Sequence, residues 1–252
     1  MTSPFDLSGQ VAMVTGANTG LGQAIAVGLA AAGADIVAVG RSAPDQTGER
    51  VRELGRAFHA ISADLSTIAP VAQVVDQALV LAGRLDILVN NAGVIRRADS
   101  LEFSEADWDA VMDTNLKTAF FLSQAVARAW VAAGRGGKII HIASMLSFQG
   151  GVRVPSYTAS KSGLAGLTKA MANEWAGKGI NVNALAPGYF VTNNTEALRA
   201  DEGRSRDILG RIPAGRWGEP ADLAGAAVFL ASRAADYMHG AIVPVDGGWL
   251  AR

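Results

Sequence analysis

The chain has 252 residues, of which half are hydrophobic and 18% are charged, and its formal net charge is -1 at pH 7. This length fits one large α/β domain or two small ones, and the balanced charge argues against a nucleic-acid or membrane partner held by bulk electrostatics. The sequence contains no cysteine, which excludes disulfides, thiol nucleophiles and cysteine metal sites.

Neither the amino terminus nor the apolar stretches of the sequence predict a membrane segment. Residues 1–10 lack the apolar run of a signal peptide, and the longest apolar stretch, residues 24–34, is too short to span a bilayer. We therefore expect a soluble, cytoplasmic protein without a metal site.

The first predicted strand, residues 11–15, ends in a glycine-rich turn. Gly16, Gly20 and Gly22 lie in this turn, and a small apolar helix over residues 23–32 follows it. A strand, a glycine turn and a helix form the context in which a dinucleotide pyrophosphate meets a helix amino terminus. The spacing differs from the usual Gly-x-Gly-x-x-Gly, so an ordinary glycine-rich turn is the alternative interpretation.

The second predicted strand, residues 35–39, runs into Gly40 and Arg41. An NAD-selective site normally has an acidic residue here for the ribose hydroxyls, about twenty residues after the glycines. Arg41 instead favours the 2′-phosphate of NADP, with a solvated surface arginine as the alternative. Asp64 follows a short strand over residues 57–62, where its carboxylate suits the adenine amine or a helix cap.

Strand and helix patterns alternate along the rest of the chain. We predict helices over residues 47–54, 68–82, 104–115, 118–133, 157–176 and 220–231, and strands over residues 86–89, 138–142, 180–186 and 241–245. Residues 189–218 are predicted to form an irregular, mobile lid over a substrate. The alternation predicts an α/β protein with one domain over residues 1–252, a Rossmann fold with a doubly wound parallel sheet flanked by helices.

Tyr157 and Lys161 lie at i and i+4 on one face of a predicted helix, and Ser144 lies a short loop upstream. A phenol in water titrates near pH ~10, so proton transfer at neutral pH requires a shift of roughly three units. An ammonium about 4 Å away supplies on the order of 4 kcal/mol at an effective dielectric of ~20, so we expect Lys161 to lower the pKa of Tyr157. A solvated helix face is the alternative interpretation.

Together these motifs resemble the short-chain dehydrogenase/reductase family over the whole chain. The matching residues, in order and spacing, are Thr15-Gly16-x-x-x-Gly20-x-Gly22, Asn90-Asn91-Ala92-Gly93, Asn115, Ser144, Tyr157-x-x-x-Lys161 and Pro187-Gly188 with Thr192. Within the family the chain is most similar to dehydrogenases of sugar acids, with gluconate dehydrogenases as close rivals. The stretches that suggest this are residues 144–155, 172–175, 186–195, 211–217 and 245–252.

The resemblance implies an NAD(P)-dependent oxidoreductase that interconverts a secondary alcohol and a ketone. It implies that Tyr157 transfers the proton and that Lys161 lowers its pKa and holds the ribose hydroxyls. It further implies that Ser144 binds the oxygen where charge develops and that Asn115 anchors a water linking Lys161 to solvent. The alternative from a different class is a non-catalytic dinucleotide-binding sensor.

The cofactor implied by the resemblance is NAD(H), and the pair Gly40-Arg41 suggests tolerance of NADP(H). The expected cofactor-binding residues are Gly16, Asn18, Thr19, Gly20, Leu21, Gly22, Arg41, Asp64, Leu65, Asn91, Ala92, Gly93, Tyr157, Lys161, Pro187, Gly188, Phe190 and Thr192.

A sugar acid carries a carboxylate, for which a fixed arginine is the natural partner. We favour Arg153 because it is near the catalytic pair in sequence, with Arg96 and Arg97 as alternatives; each also suits a plain surface charge. The expected substrate-binding residues are Ser144, Gln149, Arg153, Asn193 and Asn194. The three histidines, His59, His141 and His239, are interpreted as structural.

Helices 118–133 and 157–176 carry more apolar surface than one sheet face covers, which predicts association with other copies of the chain. The resemblance implies a homotetramer in which these two helices pair. We expect Ala165 and Ala172 to lie on the outward face of the second helix.

Overall fold

The computed structural model of the protein describes residues 3–252. These residues form seven strands: β1 Val11–Thr15, β2 Asp35–Gly40, β3 Phe58–Ser62, β4 Ile87–Asn90, β5 Gly137–Ile142, β6 Ile180–Pro187 and β7 Ile242–Val245. The α-helices in the same part of the chain are α1 Gly20–Ala31, α2 Asp45–Glu53, α3 Val71–Ala82, α4 Glu105–Met112, α5 Thr118–Ala132, α6 Pro155–Trp175, α7 Glu196–Ala200, α8 Glu202–Arg211 and α9 Ala221–Ala231. Across residues 3–252, every helix is too short or too polar to cross a bilayer.

All seven strands run parallel in one sheet, in the order β3-β2-β1-β4-β5-β6-β7. Chain order therefore reverses between β1 and β4, and helices cover both faces of the sheet, which confirms the predicted fold class. In such sheets ligands bind outside the carboxyl ends of the strands where the order reverses. The fold thus places the expected site beside Thr15 and Asn90.

Apolar layers pack on both faces of the sheet. On one face α1 packs so closely on α9 that a β-carbon at Gly28 would lie 2.7 Å from the β-carbon of Ala224. On the other face α3 and α5 cover the sheet, and Trp130 of α5 is 1% exposed. Its indole N–H donates to the carbonyl of Leu85 at 2.6 Å, which satisfies the one polar group of this buried ring.

The predicted helices over residues 104–115 and 118–133 form one continuous helical run. Ser104 caps α4 by accepting a hydrogen bond from the backbone N–H of Asp107 at 3.1 Å, as the capping box predicts. A π-helical turn, Asp113–Lys117, then joins α4 to α5. Such a turn inserts one extra residue and is frequent at functional sites, and here it contains the buried Asn115.

The segment 189–218 is more regular than predicted. It contains a 3₁₀ turn, Asn193–Thr195, followed by α7 and α8. Asp201 caps α8 by accepting from the backbone N–H of Arg204 at 3.0 Å. The prediction of irregular backbone was wrong because α8 buries only Ile208, which leaves no apolar periodicity to read from the sequence.

The outward face of α6 differs from the predicted one. Ala165 and Ala172 are only 8% and 3% exposed, so both face the interior of the subunit. The expectation that they face outward was wrong because the apolar pattern of this helix does not mark which side meets the sheet. The exposed residues of α6 are Ser162, Gly166, Lys169, Ala170, Asn173 and Glu174.

Candidate active site

The turns that follow β1 and β4 are joined by hydrogen bonds where the strand order reverses. The Asn91 side chain donates to the carbonyls of Thr15 and Gly16 at 2.9 and 3.1 Å. The Thr15 hydroxyl accepts from the backbone N–H groups of Asn91 and Ala92 at 3.0 and 2.9 Å. A β-carbon at Gly22 would lie 2.4 Å from the Asn91 amide nitrogen, so only glycine fits there. Asn91 thereby holds the glycine turn in place.

A groove crosses the carboxyl ends of the strands and consists of two adjoining cavities of about 300 and 290 Å³. They share Gly16, Asn18, Ala92 and Gly93, and the amino terminus of α1 lies beside them, where its N–H groups suit a pyrophosphate. The expected cofactor residues that line the groove are Gly16, Asn18, Thr19, Gly20, Leu21, Gly22, Arg41, Asp64, Leu65, Asn91, Ala92, Gly93, Tyr157, Lys161 and Thr192.

Three residues expected to bind the cofactor do not line this groove. Pro187 is the last residue of β6, and the backbone of Gly188 packs against Asp246, with its N–H donating to Val245 at 2.9 Å. Phe190 is 4% exposed within the apolar core. Their position shows that they support the chain leading to Thr192, which does reach the groove.

The corner of the groove beside Gly40 has one cation and one carboxylate. The Arg41 guanidinium lies 3.9 Å from the Asp64 carboxylate, and both side chains are more than half exposed. Hydrogen bonds from Ser66, with a smaller effect of Arg41, lower the pKa of Asp64. An exposed pair at this distance contributes little stability, so Arg41 is available to a 2′-phosphate.

Tyr157, Lys161 and Ser144 meet at the other end of the groove. Pro155 at the first turn starts α6, which places Tyr157 and Lys161 one turn apart on the same face. The Lys161 ammonium lies 5.5 Å from the centre of the Tyr157 ring and donates to the carbonyl of Ile142 at 2.6 Å. The side chain of Ser144 hydrogen-bonds Tyr157. The predicted catalytic residues are therefore brought together.

The electrostatics of this trio differ from the expectation. Burial raises the pKa of Tyr157, and the hydrogen bond with Ser144 and the charge of Arg97 only partly oppose it. The Lys161 ammonium itself donates to the Ile142 carbonyl. Burial also lowers the pKa of Lys161 to about 8, since its side chain is 4% exposed. The net pKa of Tyr157 is therefore raised in this structure, and the expected effect of Lys161 on it stays a prediction.

Asn115 contacts the backbone beside the groove from within the π turn. Its amide nitrogen donates to the Val94 carbonyl at 2.9 Å and to the Ser160 hydroxyl at 3.3 Å, and its oxygen accepts from the Val94 N–H at 2.8 Å. These bonds hold the chain after Gly93 against α6. Asn115 thus packs against the catalytic helix at Ser160, which lies three residues after Tyr157.

The arginines near the site have different partners. Arg153 lies 3.3 Å from Asp99, and Arg96 lies 3.1 Å from Asp107. Arg97 instead donates to the backbone carbonyl of Asn194 at 3.0 Å and is close enough to Tyr157 to influence its pKa. The choice of Arg153 rested on proximity in sequence, whereas the fold brings Arg97 to Asn194, which lines the cavity that contains Tyr157.

The other expected substrate residues lie in two places. Asn193 and Asn194 line the cavity that contains Tyr157. Gln149 lies in the loop after Ser144, where its side chain contacts Trp249 and Arg211. Sequence analysis missed both of these partners, which are 100 and 62 residues away from it along the chain.

The short chain dehydrogenase family profile matches residues 10–203. The chain belongs to the short-chain dehydrogenase family. The 2-dehydro-3-deoxy-D-gluconate 5-dehydrogenase of Escherichia coli (strain K12) is 62% identical to it over 99% of each chain. A dehydrogenase from Agrobacterium tumefaciens, whose crystal structure contains bound NADP, is 63% identical to this chain. The TM-score is 0.94, and the match covers the whole of both chains. A gluconate 5-dehydrogenase from Burkholderia cenocepacia J2315, in complex with NADP and tartrate, is 42% identical over 99% of this chain and 98% of its own, with a TM-score of 0.93.

These similarities confirm the resemblance found in the sequence. The dehydrogenase is an NAD(P)-dependent oxidoreductase that acts on CH–OH groups. This sets aside the alternative of a non-catalytic dinucleotide-binding sensor. The groove fits the cofactor independently, because the bare backbone at Gly22 and the helix amino terminus leave a cradle that a side chain would fill.

The lowered pKa of Lys161 predicts a pH-dependent difference in stability between the wild type and Lys161→Met. The pKa falls from its ordinary 10.5 to about 8 in the folded chain. Between these values the unfolded chain binds the extra proton, so wild-type stability rises with pH relative to the variant, by about 3 kcal/mol in total. Urea unfolding of both proteins from pH 7 to pH 10, at one protein concentration, measures this difference.

Other titrating groups are common to both proteins and cancel in the comparison. Lys178→Met, which removes an exposed lysine just after α6, serves as the control for loss of a surface charge. A Lys161→Met difference that stays constant between pH 7 and pH 10 would contradict the lowered pKa.

Proposed function

We propose that the dehydrogenase interconverts a hydroxyl and a ketone at C5 of a six-carbon sugar acid, as a 2-dehydro-3-deoxy-D-gluconate 5-dehydrogenase. The 62% identity to an enzyme of that name supports this proposal. The observation that carries it is the position of Arg97, which donates to the carbonyl of Asn194 on the wall of the cavity that contains Tyr157. A cation beside this cavity suits a substrate that carries a carboxylate.

Gluconate 5-dehydrogenase is the second candidate. The Burkholderia cenocepacia enzyme of that name has the same fold, with a TM-score of 0.93. Both candidates react at C5 of a six-carbon acid, so they require the same catalytic residues and differ in the groups at C2 and C3.

Tyr157 is proposed as the residue that transfers the proton. A nicotinamide bound in the groove supplies or accepts the hydride. A raised pKa keeps the phenol of Tyr157 protonated, which suits donation to a ketone oxygen during reduction. Ser144, which hydrogen-bonds Tyr157, is proposed to bind the same substrate oxygen and stabilise its developing charge.

Lys161 and Asn115 are proposed to support this proton transfer. Lys161 has three N–H donors, of which one is used by the Ile142 carbonyl, and the residue lines the cavity. The remaining donors suit the ribose hydroxyls. Asn115 holds the backbone of Val94 against the catalytic helix. It is also proposed to anchor a water beside Lys161.

Arg97 is proposed as the partner of the substrate carboxylate, in place of Arg153. Arg96 and Arg153 each already lie beside an aspartate. Among residues 3–252, Arg97 donates one hydrogen bond, to the Asn194 carbonyl, and a guanidinium has five N–H donors. It therefore retains donors for a bidentate contact with a carboxylate.

The cofactor is proposed to be accepted as either NADH or NADPH. NAD-selective sites normally carry an acidic residue at the end of the second strand. Here that strand ends in Gly40, and Arg41 follows it. The relatives from Agrobacterium tumefaciens and Burkholderia cenocepacia were solved with NADP, which supports a phosphate-tolerant site.

Assembly as a homotetramer is proposed through α5 and the exposed face of α6. Ser162, Gly166 and Ala170 form a row of small exposed residues at four-residue spacing, which allows a second helix to approach closely. On α5, Val131 is 49% exposed. Light scattering at micromolar concentration measures the assembly, and a fully active monomer would overturn this part of the proposal.

Replacing Tyr157 tests the catalytic assignment and the substrate together. Wild type is expected to consume NADPH or NADH with a keto sugar acid and to leave a neutral polyol or ketose almost unused. Tyr157→Phe removes the proton donor, so kcat is expected to fall about 10²- to 10⁴-fold while cofactor affinity stays within about threefold. Absorbance of the reduced cofactor follows turnover, and fluorescence titration follows cofactor binding. Turnover close to wild type in Tyr157→Phe would refute the assignment.

The carboxylate contact is tested with Arg97→Met and Arg153→Met as a matched pair. Loss of a fixed guanidinium partner is expected to raise KM for the sugar acid about 10- to 100-fold in Arg97→Met. Arg153→Met is expected to change KM by less than about threefold, because exposed ion pairs such as Arg153–Asp99 contribute little. Steady-state kinetics on the acid measure both, and a larger effect at Arg153 would restore the choice made from sequence.

Arg41→Ala tests the phosphate corner. Removing the guanidinium is expected to raise KM for NADPH about 5- to 30-fold and to leave KM for NADH within about twofold, because only NADPH carries the 2′-phosphate. Kinetics with both cofactors at saturating sugar acid measure the ratio. A strong preference for NADH that Arg41→Ala leaves unchanged would show that Arg41 only faces solvent.

A further inference from the structure

Gln149 lies where three distant parts of the chain meet. Its side-chain oxygen accepts from the indole N–H of Trp249 at 3.1 Å and lies 3.5 Å from the guanidinium of Arg211. Arg211 ends α8 and stacks over the Trp249 ring at 4.0 Å. The loop after Ser144, the lid helix and the carboxyl-terminal segment therefore share one polar contact.

The chemistry of these partners determines how the Gln149 amide is oriented. An indole N–H and a guanidinium are both donors without acceptor capacity. Only the oxygen of the Gln149 amide can face them, so its orientation follows from its neighbours and does not depend on an arbitrary choice between oxygen and nitrogen. The NH₂ group then points away from Trp249, and it makes no hydrogen bond to any residue between 3 and 252 in this structure.

The loop that carries this NH₂ group begins at Ser144, which hydrogen-bonds Tyr157. The backbone N–H of Gln149 donates to the carbonyl of Met145 at 3.2 Å, so the chain makes a single helical turn directly after Ser144. Met145 is buried in the same apolar cluster as Trp249, Ile208 and Ile212. Gln149 is thus held against a rigid cluster one turn from the serine that contacts Tyr157.

We propose that Gln149 is a specificity-determining residue that offers two N–H donors to an oxo oxygen of the substrate, and that Trp249 is the positioning residue that keeps the amide in this orientation. An oxo group only accepts hydrogen bonds, so it matches a donor-only partner. A hydroxyl at the same carbon also accepts, but its own proton is left without an acceptor on Gln149. The site would thereby favour a 2-oxo sugar acid over the corresponding 2-hydroxy acid, an inference that rests on the proposed function.

Two substitutions remove the orientation or the donors while keeping side-chain size. Trp249→Phe loses the indole N–H but keeps an aromatic ring beneath Arg211, so the amide is free to rotate. Gln149→Glu presents oxygens on both sides and loses both donors. Trp217→Phe is the matched control. Both tryptophans pack edge-to-face against Tyr189, with ring centres 5.5 Å apart for Trp217 and 4.8 Å apart for Trp249, while of the two only Trp249 bonds Gln149.

The experiment measures kcat and KM for oxidation of 2-dehydro-3-deoxygluconate and of gluconate by wild type and the three variants. Gln149→Glu is expected to raise KM for the 2-oxo acid about 30-fold, with kcat within about threefold. Trp249→Phe is expected to lower the preference for the 2-oxo acid over gluconate about fivefold, and Trp217→Phe to leave it unchanged. Cofactor affinity, measured by fluorescence titration, is expected to stay constant in all three.

The outcomes separate the two proposals. Turnover of the sugar acids by wild type with an unchanged preference in Gln149→Glu would overturn the role of Gln149 and leave the proposed function standing. Equal losses for both substrates in Trp249→Phe, or a fall in kcat alone, would assign Trp249 a structural role only. Failure of wild type to oxidise either acid would overturn the proposed function and this inference with it. If Trp249→Phe does not fold, Gln149→Glu at its partly exposed position decides the question alone.

Discussion

The active site depends on the close contact between the turn after β1 and the turn after β4. Thr15 and Asn91 exchange hydrogen bonds there, and the space left between Gly16, Gly22 and Asn91 is too small for a β-carbon. Because the two strands are neighbours at the point where the sheet order reverses, this contact determines both the width of the groove and the position of the α1 amino terminus beside it. Without it, the bare backbone that suits a pyrophosphate would have no defined shape.

Burial controls the charges at the catalytic end of the groove. It raises the pKa of Tyr157 and lowers that of Lys161 to about 8, so the protein holds both groups closer to neutrality than water does. His141, fully buried on β5, adds no charge: burial and the nearby Lys161 lower its pKa to about 3. The hydrogen bonds around His141 are consistent with a neutral ring. Ser123 donates to Ala119 and so accepts from Asn90. The Asn90 amide then donates its other hydrogen to Nδ1 of His141. The buried histidine near Lys161 is therefore neutral.

The parts of the site that the sequence predicted are those encoded by short-range patterns. The glycine turn and the Tyr157–Lys161 pair have fixed spacing on a turn and on one helix, so their positions follow from local geometry. The alternation of strands and helices likewise led to the correct sheet. The direction in which Lys161 donates could not be predicted, because its acceptor is a carbonyl 19 residues away on β5. For the same reason Arg153 was favoured over Arg97, whose approach to Tyr157 is created by the fold alone.

The segment 189–218 is hydrogen-bonded near its start and at the end of α8, and its helices bury few residues between these points. At its start, Thr195 donates to the carbonyls of Phe190 and Thr192, and Arg97 donates to Asn194. At its end, the guanidinium of Arg252 donates to the carbonyls of Gly210 and Arg211, which closes the last turn of α8. Between these ends α7 buries no residue and α8 buries only Ile208, so little apolar contact opposes local opening. Since Arg97 bonds the start of the segment and Gln149 contacts the end of α8, a substrate that engages both residues would bind beside the two points where the segment is held.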